Sequence, residues 1–287
     1  HAIQSVNVDL SGLKVVVDCA EGASFYTSVE ALKELGANVV AIHNNPDGTN
    51  INANCGSTHP EELQARVVYE KADIGLAFDC DADRLMAVDE LGNLINGDQL
   101  MAIVGNYMKN QGLLKNNTIV ATVMSNLGFF MMAEQNDIMV EQTKVGDRYV
   151  LERMREIGAS LGGEQSGHVI FLDENTTGDG LLSALHLLQV MVETKESLSE
   201  LSGIMEMMPQ AQAGAKVANH KKERYLDYPE IANAIAEVSE RFQGEGRVLI
   251  RPSGTEPLVR VMIEGKDQKQ IDEEAKRLAN LIQDIMF

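Results

Sequence analysis

The sequence predicts two consecutive α/β domains, with mixed or parallel sheets flanked by helices, followed by a smaller α+β domain. The chain has 287 residues, and a single domain usually holds roughly 100–200. Apolar runs rich in β-branched residues alternate with helical stretches, and this pattern then restarts, which indicates parallel strands joined by helical crossovers. The C-terminal part orders its strands and helices differently. We expect domains at residues 1–98, 99–208 and 209–287.

The first domain alternates strands with helices. Short apolar runs predict its strands at residues 13–18, 38–43 and 73–78. A helix over residues 24–35 is followed by Gly36, a residue typical of helix C-termini. Pro60 begins a second helix after a polar loop.

The second domain repeats this alternation, and the third departs from it. In the second domain, strands are predicted at residues 118–123 and 138–143, helices at 126–135 and 147–157, and a short run at 159–161 that leads into a Gly-rich turn. In the third, strands are predicted at residues 213–218, 247–251 and 258–264, and helices at 228–242 and 268–286. A stretch rich in Met, Gln and Ala, residues 205–214, is predicted to be the linker.

Composition and charge exclude several classes of protein. The 24 Lys and Arg against 43 Asp and Glu give a net charge of −19, which disfavours nucleic acid as a partner. No apolar run reaches the roughly 18–20 residues of a membrane-spanning helix, and no secretory signal is visible. Cys19, Cys55 and Cys80 are an odd number without CxxC spacing, so neither a disulfide framework nor a structural zinc site is expected, and we predict a reducing cytoplasm.

The segment directly after the third predicted strand carries three carboxylates, Asp79, Asp81 and Asp83, at alternate positions. Such residues at the end of a parallel strand can converge on one hard cation and leave coordination positions for a phosphate oxygen. They would repel one another without a metal, since Arg84 is the sole countercharge in the segment. We predict a Mg²⁺ site. A solvated acidic turn is the alternative.

A calcium-binding EF-hand loop is a second alternative for this segment. Its carboxylates, with Glu90, match loop positions 1, 3, 5 and 12. Arg84 stands where the EF-hand needs Gly for a sharp turn, and β-type runs rather than helices flank the segment. The EF-hand interpretation is therefore disfavoured.

A glycine-rich segment at residues 162–168 is the second candidate ligand loop. Its glycines permit close approach of a ligand to the backbone, while Glu164, Ser166 and His168 supply acceptors and donors suited to sugar hydroxyls. The alternative is a hairpin turn in which His168 only begins the strand at residues 168–172.

The third candidate loop follows the predicted strand at residues 247–251. Two guanidinium groups, two hydroxyls and the backbone N–H groups of a Gly-containing turn are the components of a phosphate-binding loop. It lacks the Walker A pattern, and a Pro-bounded turn is the alternative reading. The predicted phosphate-binding residues are Arg251, Ser253, Gly254, Thr255 and Arg260.

Taken in this order, the three loops resemble those of the α-D-phosphohexomutase superfamily. The sequence GEQSGH at residues 163–168 is similar to that found in the superfamily's phosphoglucosamine branch. The same similarity holds for residues 143–150, Asn54 to Ser57 and Asp179-Gly180. Cys80 stands where the family commonly has Gly, and we expect it to adopt a φ that a side chain tolerates. The family's phosphorylated serine lies in a first domain, and no segment here matches it. With no initiator Met, the chain is expected to be domains two to four of a longer enzyme.

The resemblance implies a function. Family enzymes of this branch interconvert glucosamine 6-phosphate and glucosamine 1-phosphate through a phosphoserine and a bisphosphate intermediate, toward UDP-N-acetylglucosamine and cell-wall precursors. It implies Mg²⁺ held by the three aspartates, a catalytic role for Arg84, sugar binding by the second loop and phosphate binding by the third. Lys144 and Arg148 are expected to add positive charge near the transferred group, unless they are surface charges at a helix start.

Two other functions stay open from the sequence. A phosphomannomutase/phosphoglucomutase would carry the same loops and act on a different sugar. A non-catalytic phosphosugar-binding protein would lack the donor serine by nature, although it has little need of a complete metal loop. A homodimer of the full-length enzyme is also compatible with the resemblance.

Overall fold

A computed structural model describes residues 1–254 and 256–287. The predicted fold class is confirmed: two mixed α/β domains precede a C-terminal domain with an antiparallel sheet. The chain divides into two compact units, residues 1–125 with 129–206 and residues 126–128 with 207–287.

The first sheet has five strands in the order β2-β1-β3-β4-β5. Strand β1 pairs in parallel with both β2 and β3. Strand β4 pairs antiparallel with both β3 and β5. The parallel strands are apolar and β-branched, as expected for strands covered on both faces. The strands are β1 (Lys14–Asp18), β2 (Asn38–Ile42), β3 (Ile74–Phe78), β4 (Leu85–Asp89) and β5 (Leu94–Ile95).

The second sheet repeats this design with four strands in the order β7-β6-β8-β9. Strand β6 is parallel to β7 and β8, and β8 forms an antiparallel hairpin with β9. Its strands are β6 (Thr118–Thr122), β7 (Met139–Thr143), β8 (Leu161–Gly163) and β9 (Val169–Phe171). One hydrophobic core contains residues of both sheets, including Val15, Leu76, Phe78, Ile119 and Leu161.

The C-terminal sheet is antiparallel with the order β10-β12-β11. Its strands are β10 (Gln210–Lys216), β11 (Gly246–Pro252) and β12 (Leu258–Gly265). Because β10 begins at Gln210, the prediction of a linker through residue 214 is wrong over its second half. Gln and Ala have low strand propensity, and pairing with β12 outweighs that preference.

Ten α-helices lie within the described residues. The long helices between the strands of the first unit match the predictions, with two exceptions. The buried helices α4 (Gly97–Asn110) and α7 (Gly180–Thr194) were not predicted; they follow the capping residues Asn96 and Asp179. The helices are α1 (Ala2–Ser5), α2 (Ser24–Glu34), α3 (Glu61–Glu70), α4 (Gly97–Asn110), α5 (Leu127–Gln135), α6 (Asp147–Ile157), α7 (Gly180–Thr194), α8 (Leu198–Ser202), α9 (Pro229–Arg241) and α10 (Gln268–Met286). Short 3₁₀ helices span Gly56–Thr58, Lys115–Asn117 and Lys222–Asp227.

Candidate metal and phosphosugar site

The three aspartates lie in the turn between β3 and β4, at the carboxyl edge of the parallel strands. Each offers a carboxylate oxygen, and these oxygens lie within 4.8 Å of one another. The backbone N–H of Arg84 donates to Asp79 Oδ1 at 3.0 Å, which fixes one side of the turn. Asp83 Oδ1 is buried without a hydrogen-bond partner. The donor set is entirely carboxylate, which is the ligand chemistry that Mg²⁺ prefers.

The charges of this loop are poorly compensated. Burial, together with the adjacent Asp83 carboxylate, raises the pKa of Asp79 to about 7. The Arg84 guanidinium lies nearby but does not make a close pair, since its Nε is 3.8 Å from Asp79 Oδ2 and 3.7 Å from Asp83 Oδ1. A divalent cation among the three carboxylates would therefore relieve a real electrostatic cost.

The backbone of the loop accommodates Cys80. The loop residue with a positive φ is Ala82, at 63°, and Cys80 is not among the positive-φ residues. The expectation that Cys80 adopts a φ open to side chains is therefore confirmed. Its Sγ lies 3.7 Å from Asp81 Oδ1, so the thiol borders the carboxylates.

The glycine-rich segment is the hairpin turn that joins β8 to β9. Glu164 is half-buried and its Oε1 accepts a hydrogen bond of 2.9 Å from the backbone N–H of Gly146. Ser166 is exposed, whereas His168 is buried at 3% exposure. The segment is thus the hairpin turn that was the alternative, and the predicted sugar-binding role of its side chains stays a prediction.

His168 connects the hairpin to the aspartate loop. Its Nε2 accepts a hydrogen bond of 3.2 Å from the backbone N–H of Gly178 and lies 3.5 Å from Asp83 Oδ2. The backbones of His168 and Arg84 form a β-bridge. This backbone bridge joins the hairpin to the aspartate loop next to the buried His168 ring, an arrangement that sequence reasoning missed.

Glycines allow the two loops to pack backbone to backbone. The N–H of Gly180 donates to Ala82 O at 2.9 Å, and the N–H of Leu85 donates to Gly167 O at 3.0 Å. A Cβ on Gly180 would lie 2.6 Å from Arg84 O, and one on Gly167 would lie 2.2 Å from Leu85 O. These distances exclude a side chain at either position, so the aspartate loop packs closely against both the hairpin, at Gly167, and the start of α7, at Gly180.

Lys144 follows β7, and Arg148 lies in the first turn of α6. The Gly146 N–H that donates to Glu164 belongs to the turn between β7 and α6. Both side chains are exposed, and Arg148 Nε donates to Glu152 Oε1 at 2.8 Å along α6. Arg148 is thus paired on its own helix, and the predicted catalytic role of both residues stays a prediction.

The predicted phosphate loop lies in the second unit, between β11 and β12. Arg251 and Arg260 are directly opposite each other in the strand register. Burial and the neighbouring Arg260 charge lower the pKa of Arg251, so its charged form is held at an electrostatic cost. Arg260 pairs with Glu256. Two like charges held side by side favour an anion between them.

The turn beyond Arg251 contributes a buried hydroxyl. Ser253 is 3% exposed, and its Oγ accepts a hydrogen bond of 3.2 Å from the backbone N–H of Glu256. A Cβ on Gly254 would meet nothing within 4 Å, so this position faces open space. The predicted ligand Thr255 lies outside the described residues.

Lys222 supports this turn and was not predicted. It is 9% exposed, and its Nζ donates to Ser253 O at 2.6 Å and to Glu256 O at 3.4 Å. The ammonium group therefore ties together the two ends of the loop that brackets the predicted phosphate position. Its distance in sequence from the loop leaves no local pattern by which it could have been found.

Replacing Lys222 with Met is expected to weaken phosphosugar binding several-fold and to destabilise the chain by about 1–3 kcal/mol, because the buried Ser253 carbonyl and the part-buried Glu256 carbonyl lose their donor. Calorimetric titration with glucosamine 6-phosphate and urea unfolding measure the two effects. The Lys221→Met variant, which removes a neighbouring charge that is less buried, is the control. Equal dissociation constants for the two variants would contradict the role of Lys222.

Family models match most of the chain in three consecutive pieces. The phosphoglucomutase/phosphomannomutase models for α/β/α domain II, α/β/α domain III and the C-terminal domain match residues 1–92, 96–208 and 214–281. The chain belongs to the phosphoglucomutase/phosphomannomutase family. The aspartate loop lies in the domain II match, the hairpin in the domain III match and the arginine pair in the C-terminal match.

Within this family the chain is a homologue of bacterial phosphoglucosamine mutases. It is 58% identical to the phosphoglucosamine mutase of Ruminiclostridium cellulolyticum over 97% of this chain and 62% of that protein. It is 55% identical to that of Clostridium acetobutylicum over 98% of this chain and 63% of that protein. The chain thus spans somewhat less than two thirds of the length of these relatives.

Solved structures with low sequence identity share the fold. A family protein from Burkholderia thailandensis superposes with a TM-score of 0.81 at 23% identity, covering 100% of this chain and 64% of that one. Aspergillus fumigatus N-acetylphosphoglucosamine mutase, solved in complex with GlcNAc-6P and magnesium, superposes with a TM-score of 0.79 at 20% identity, again over 100% of this chain and 64% of that one. No helix in the described part of this family member has the length and apolar character that a membrane crossing requires.

Proposed function

We propose that the protein containing this chain is a cytoplasmic, magnesium-dependent phosphoglucosamine mutase, which interconverts glucosamine 6-phosphate and glucosamine 1-phosphate. The observation that carries the proposal is the aspartate loop, whose three carboxylates meet within 4.8 Å and whose backbone is locked to the hairpin. The relatives at 55–58% identity are phosphoglucosamine mutases, which favours this sugar over glucose or mannose phosphates.

Asp79, Asp81 and Asp83 would hold the Mg²⁺ ion. When bound, the ion neutralises charge on the phosphoryl group that is transferred. Arg84 follows the last aspartate directly, and its guanidinium makes no pair shorter than 3.7 Å with these carboxylates. It is therefore available to phosphoryl oxygens, where a guanidinium stabilises the developing charge.

The other loops bind and orient the substrate. Exposed Ser166 and half-buried Glu164 offer a hydroxyl and a carboxylate to sugar hydroxyls, and the bond from Gly146 holds Glu164 in one orientation. Arg251 and Arg260 hold the phosphate that does not react, so that the sugar is positioned before transfer. His168 is buried, and its backbone bridge to Arg84 holds the hairpin against the aspartate loop.

The test is a turnover assay of the longer protein in which residues 1–287 follow the family's serine-bearing domain. We expect faster turnover of glucosamine 6-phosphate than of glucose 6-phosphate or mannose 6-phosphate. The Asp81→Ala variant, which removes an exposed ligand, should keep its fold and lose at least about nine tenths of the activity. Preference for mannose or glucose phosphate would favour the phosphomannomutase/phosphoglucomutase alternative, and no turnover on any of the three would contradict the mutase assignment.

A further inference from the structure

A second group of metal-ligating side chains lies in the first unit, outside the aspartate loop. Asp18 ends β1, His43 follows β2, and Cys55 precedes the 3₁₀ helix Gly56–Thr58. One ligand atom from each lies within 4.8 Å of the other two. We propose that these three residues bind Zn²⁺ or a similar borderline-soft divalent ion, with the fourth coordination position left to solvent.

The positions of the Asp18 and His43 atoms fit ligands of one ion. Asp18 Oδ2 and His43 Nδ1 are 3.1 Å apart, yet Nδ1 is buried without a hydrogen-bond partner, so the two atoms are close but not aligned as donor and acceptor. Two ligands at tetrahedral Zn²⁺, each about 2.0 Å from the metal, lie about 3.3 Å apart. The observed separation is close to that value.

The surroundings orient both ligands. His43 Nε2 lies 3.2 Å from Glu62 Oε2, which reproduces the carboxylate contact that metal-binding histidines make through their other ring nitrogen. Asp18 Oδ1 accepts a bond of 2.9 Å from the N–H of Ala20, and Oδ2 accepts one of 2.9 Å from the N–H of Gly56. The carboxylate is therefore fixed before any ion binds.

The ligand set selects the kind of ion. A thiolate, an imidazole and a carboxylate suit Zn²⁺ rather than Mg²⁺, which takes oxygen ligands. Asp18 and Cys55 are fully buried, and their two negative charges would neutralise a divalent ion. Burial raises the pKa of the Cys55 thiol to about 11, so binding would release a proton from sulfur to solvent. The His43 side chain is 19% exposed and offers the entry side.

An ion here would stabilise the turn after Asp18, which packs against the aspartate loop. The turn after Asp18 carries Gly22, where a Cβ would lie 2.4 Å from Cys80 O, and the N–H of Ala23 donates to that same oxygen at 2.8 Å. The proposed site thus fixes the turn against which the Mg²⁺ loop packs. The competing arrangement is a metal-free chain of contacts Asp18–His43–Glu62, which has no need of Cys55.

Titration of the chain with Co²⁺, a spectroscopic substitute for Zn²⁺, tests the proposal. We expect one equivalent to bind with a thiolate-to-cobalt charge-transfer band, to be displaced by Zn²⁺ and to resist excess Mg²⁺. The band should disappear in Cys55→Ser and persist in Cys80→Ser, which removes the thiol beside the aspartates. Absence of the band from the unmodified chain, its persistence in Cys55→Ser or its loss in Cys80→Ser would overturn the proposal.

A surface variant keeps the test independent of folding, since Cys55→Ser alters a fully buried position. Glu62 has a side chain that is 60% exposed, and Glu62→Gln should weaken Co²⁺ binding about 10–100-fold without changing the circular dichroism spectrum. Glu61→Gln, an exposed neighbour on α3, is the matched control and should leave binding unchanged. Equal Co²⁺ affinity of these two variants would contradict the site.

Discussion

Replacing Asp79 with Asn is expected to abolish Mg²⁺ binding and, at the same time, to raise the thermal stability of the metal-free chain above neutral pH. Burial and the adjacent carboxylates raise the pKa of Asp79 from 3.8 to about 7, which means that its ionised form is disfavoured in the folded state. An Asn side chain removes that charge, and its Oδ1 can still accept the bond from the Arg84 N–H that Asp79 accepts at 3.0 Å.

The sign of the pH dependence follows from the same shift. Between pH 3.8 and about pH 7 the folded chain binds more protons at Asp79 than the unfolded chain does. The stability of the metal-free protein therefore falls as pH rises through this window, and the penalty is fully present above it. Mg²⁺ binds the ionised form, so it should raise the melting temperature more at pH 8 than at pH 5.

Melting temperatures of the unmodified chain and of Asp79→Asn, with and without Mg²⁺ at both pH values, measure these effects. Asp137→Asn is the control, because the Asp137 side chain is 95% exposed and its charge has little influence on stability. A Mg²⁺-dependent shift that survives in Asp79→Asn would contradict the metal assignment. A Mg²⁺ shift of equal size at pH 5 and pH 8 would contradict the electrostatic account of the loop.

Replacing Gly178 with Ala is expected to disrupt the contact between hairpin and aspartate loop. A Cβ at this buried position would lie 2.5 Å from the His168 ring and 2.7 Å from Asp83 O. The backbone of Asp83 cannot yield as a flexible side chain could, so both groups must move. Overpacking of this kind costs about 1–3 kcal/mol, and displacement of Asp83 should also weaken Mg²⁺ binding.

Urea unfolding and a Mg²⁺ titration check the Gly178→Ala variant. Gly214→Ala is the control, since a Cβ there would meet only the Leu258 methyl groups at an ordinary 3.8 Å. We expect the control to match the unmodified chain in both measurements. If Gly178→Ala also matched the unmodified chain in both measurements, the result would contradict the claim that close packing at Gly178 holds Asp83 in place.

The alternation of strands and helices could be predicted from the sequence, but two buried helices could not. Helix α7 is apolar on most of its surface, and the first nine residues of α4, Gly97 to Gly105, are buried, so neither stretch shows the exposed polar face by which a surface helix is recognised. Their N-caps were the available signal: Asn96 and Gln99 form a capping box, and Asp179 accepts a bond from the N–H of Leu182. Buried helices of this type are predictable only from their ends.

The candidate site likewise has a part that the sequence predicts and a part that it does not. The aspartate loop was predictable because alternation of carboxylates after a strand is a local pattern. The burial of His168 and the support that Lys222 gives to the C-terminal turn depend on segments distant in sequence, namely Gly178 and the 3₁₀ helix Lys222–Asp227. Such contacts arise from tertiary packing, which no local pattern encodes.

Calorimetric titration of glucosamine 6-phosphate into the chain, in the presence of Mg²⁺, tests most directly whether the loop between β11 and β12 binds the phosphate of a phosphosugar. We expect saturable binding, weakened at least about tenfold in Arg251→Ala because a charge-assisted bond to phosphate is worth about 1.5–3 kcal/mol. Absence of saturable heat, or an unchanged Kd in Arg251→Ala, would contradict phosphate binding by this loop.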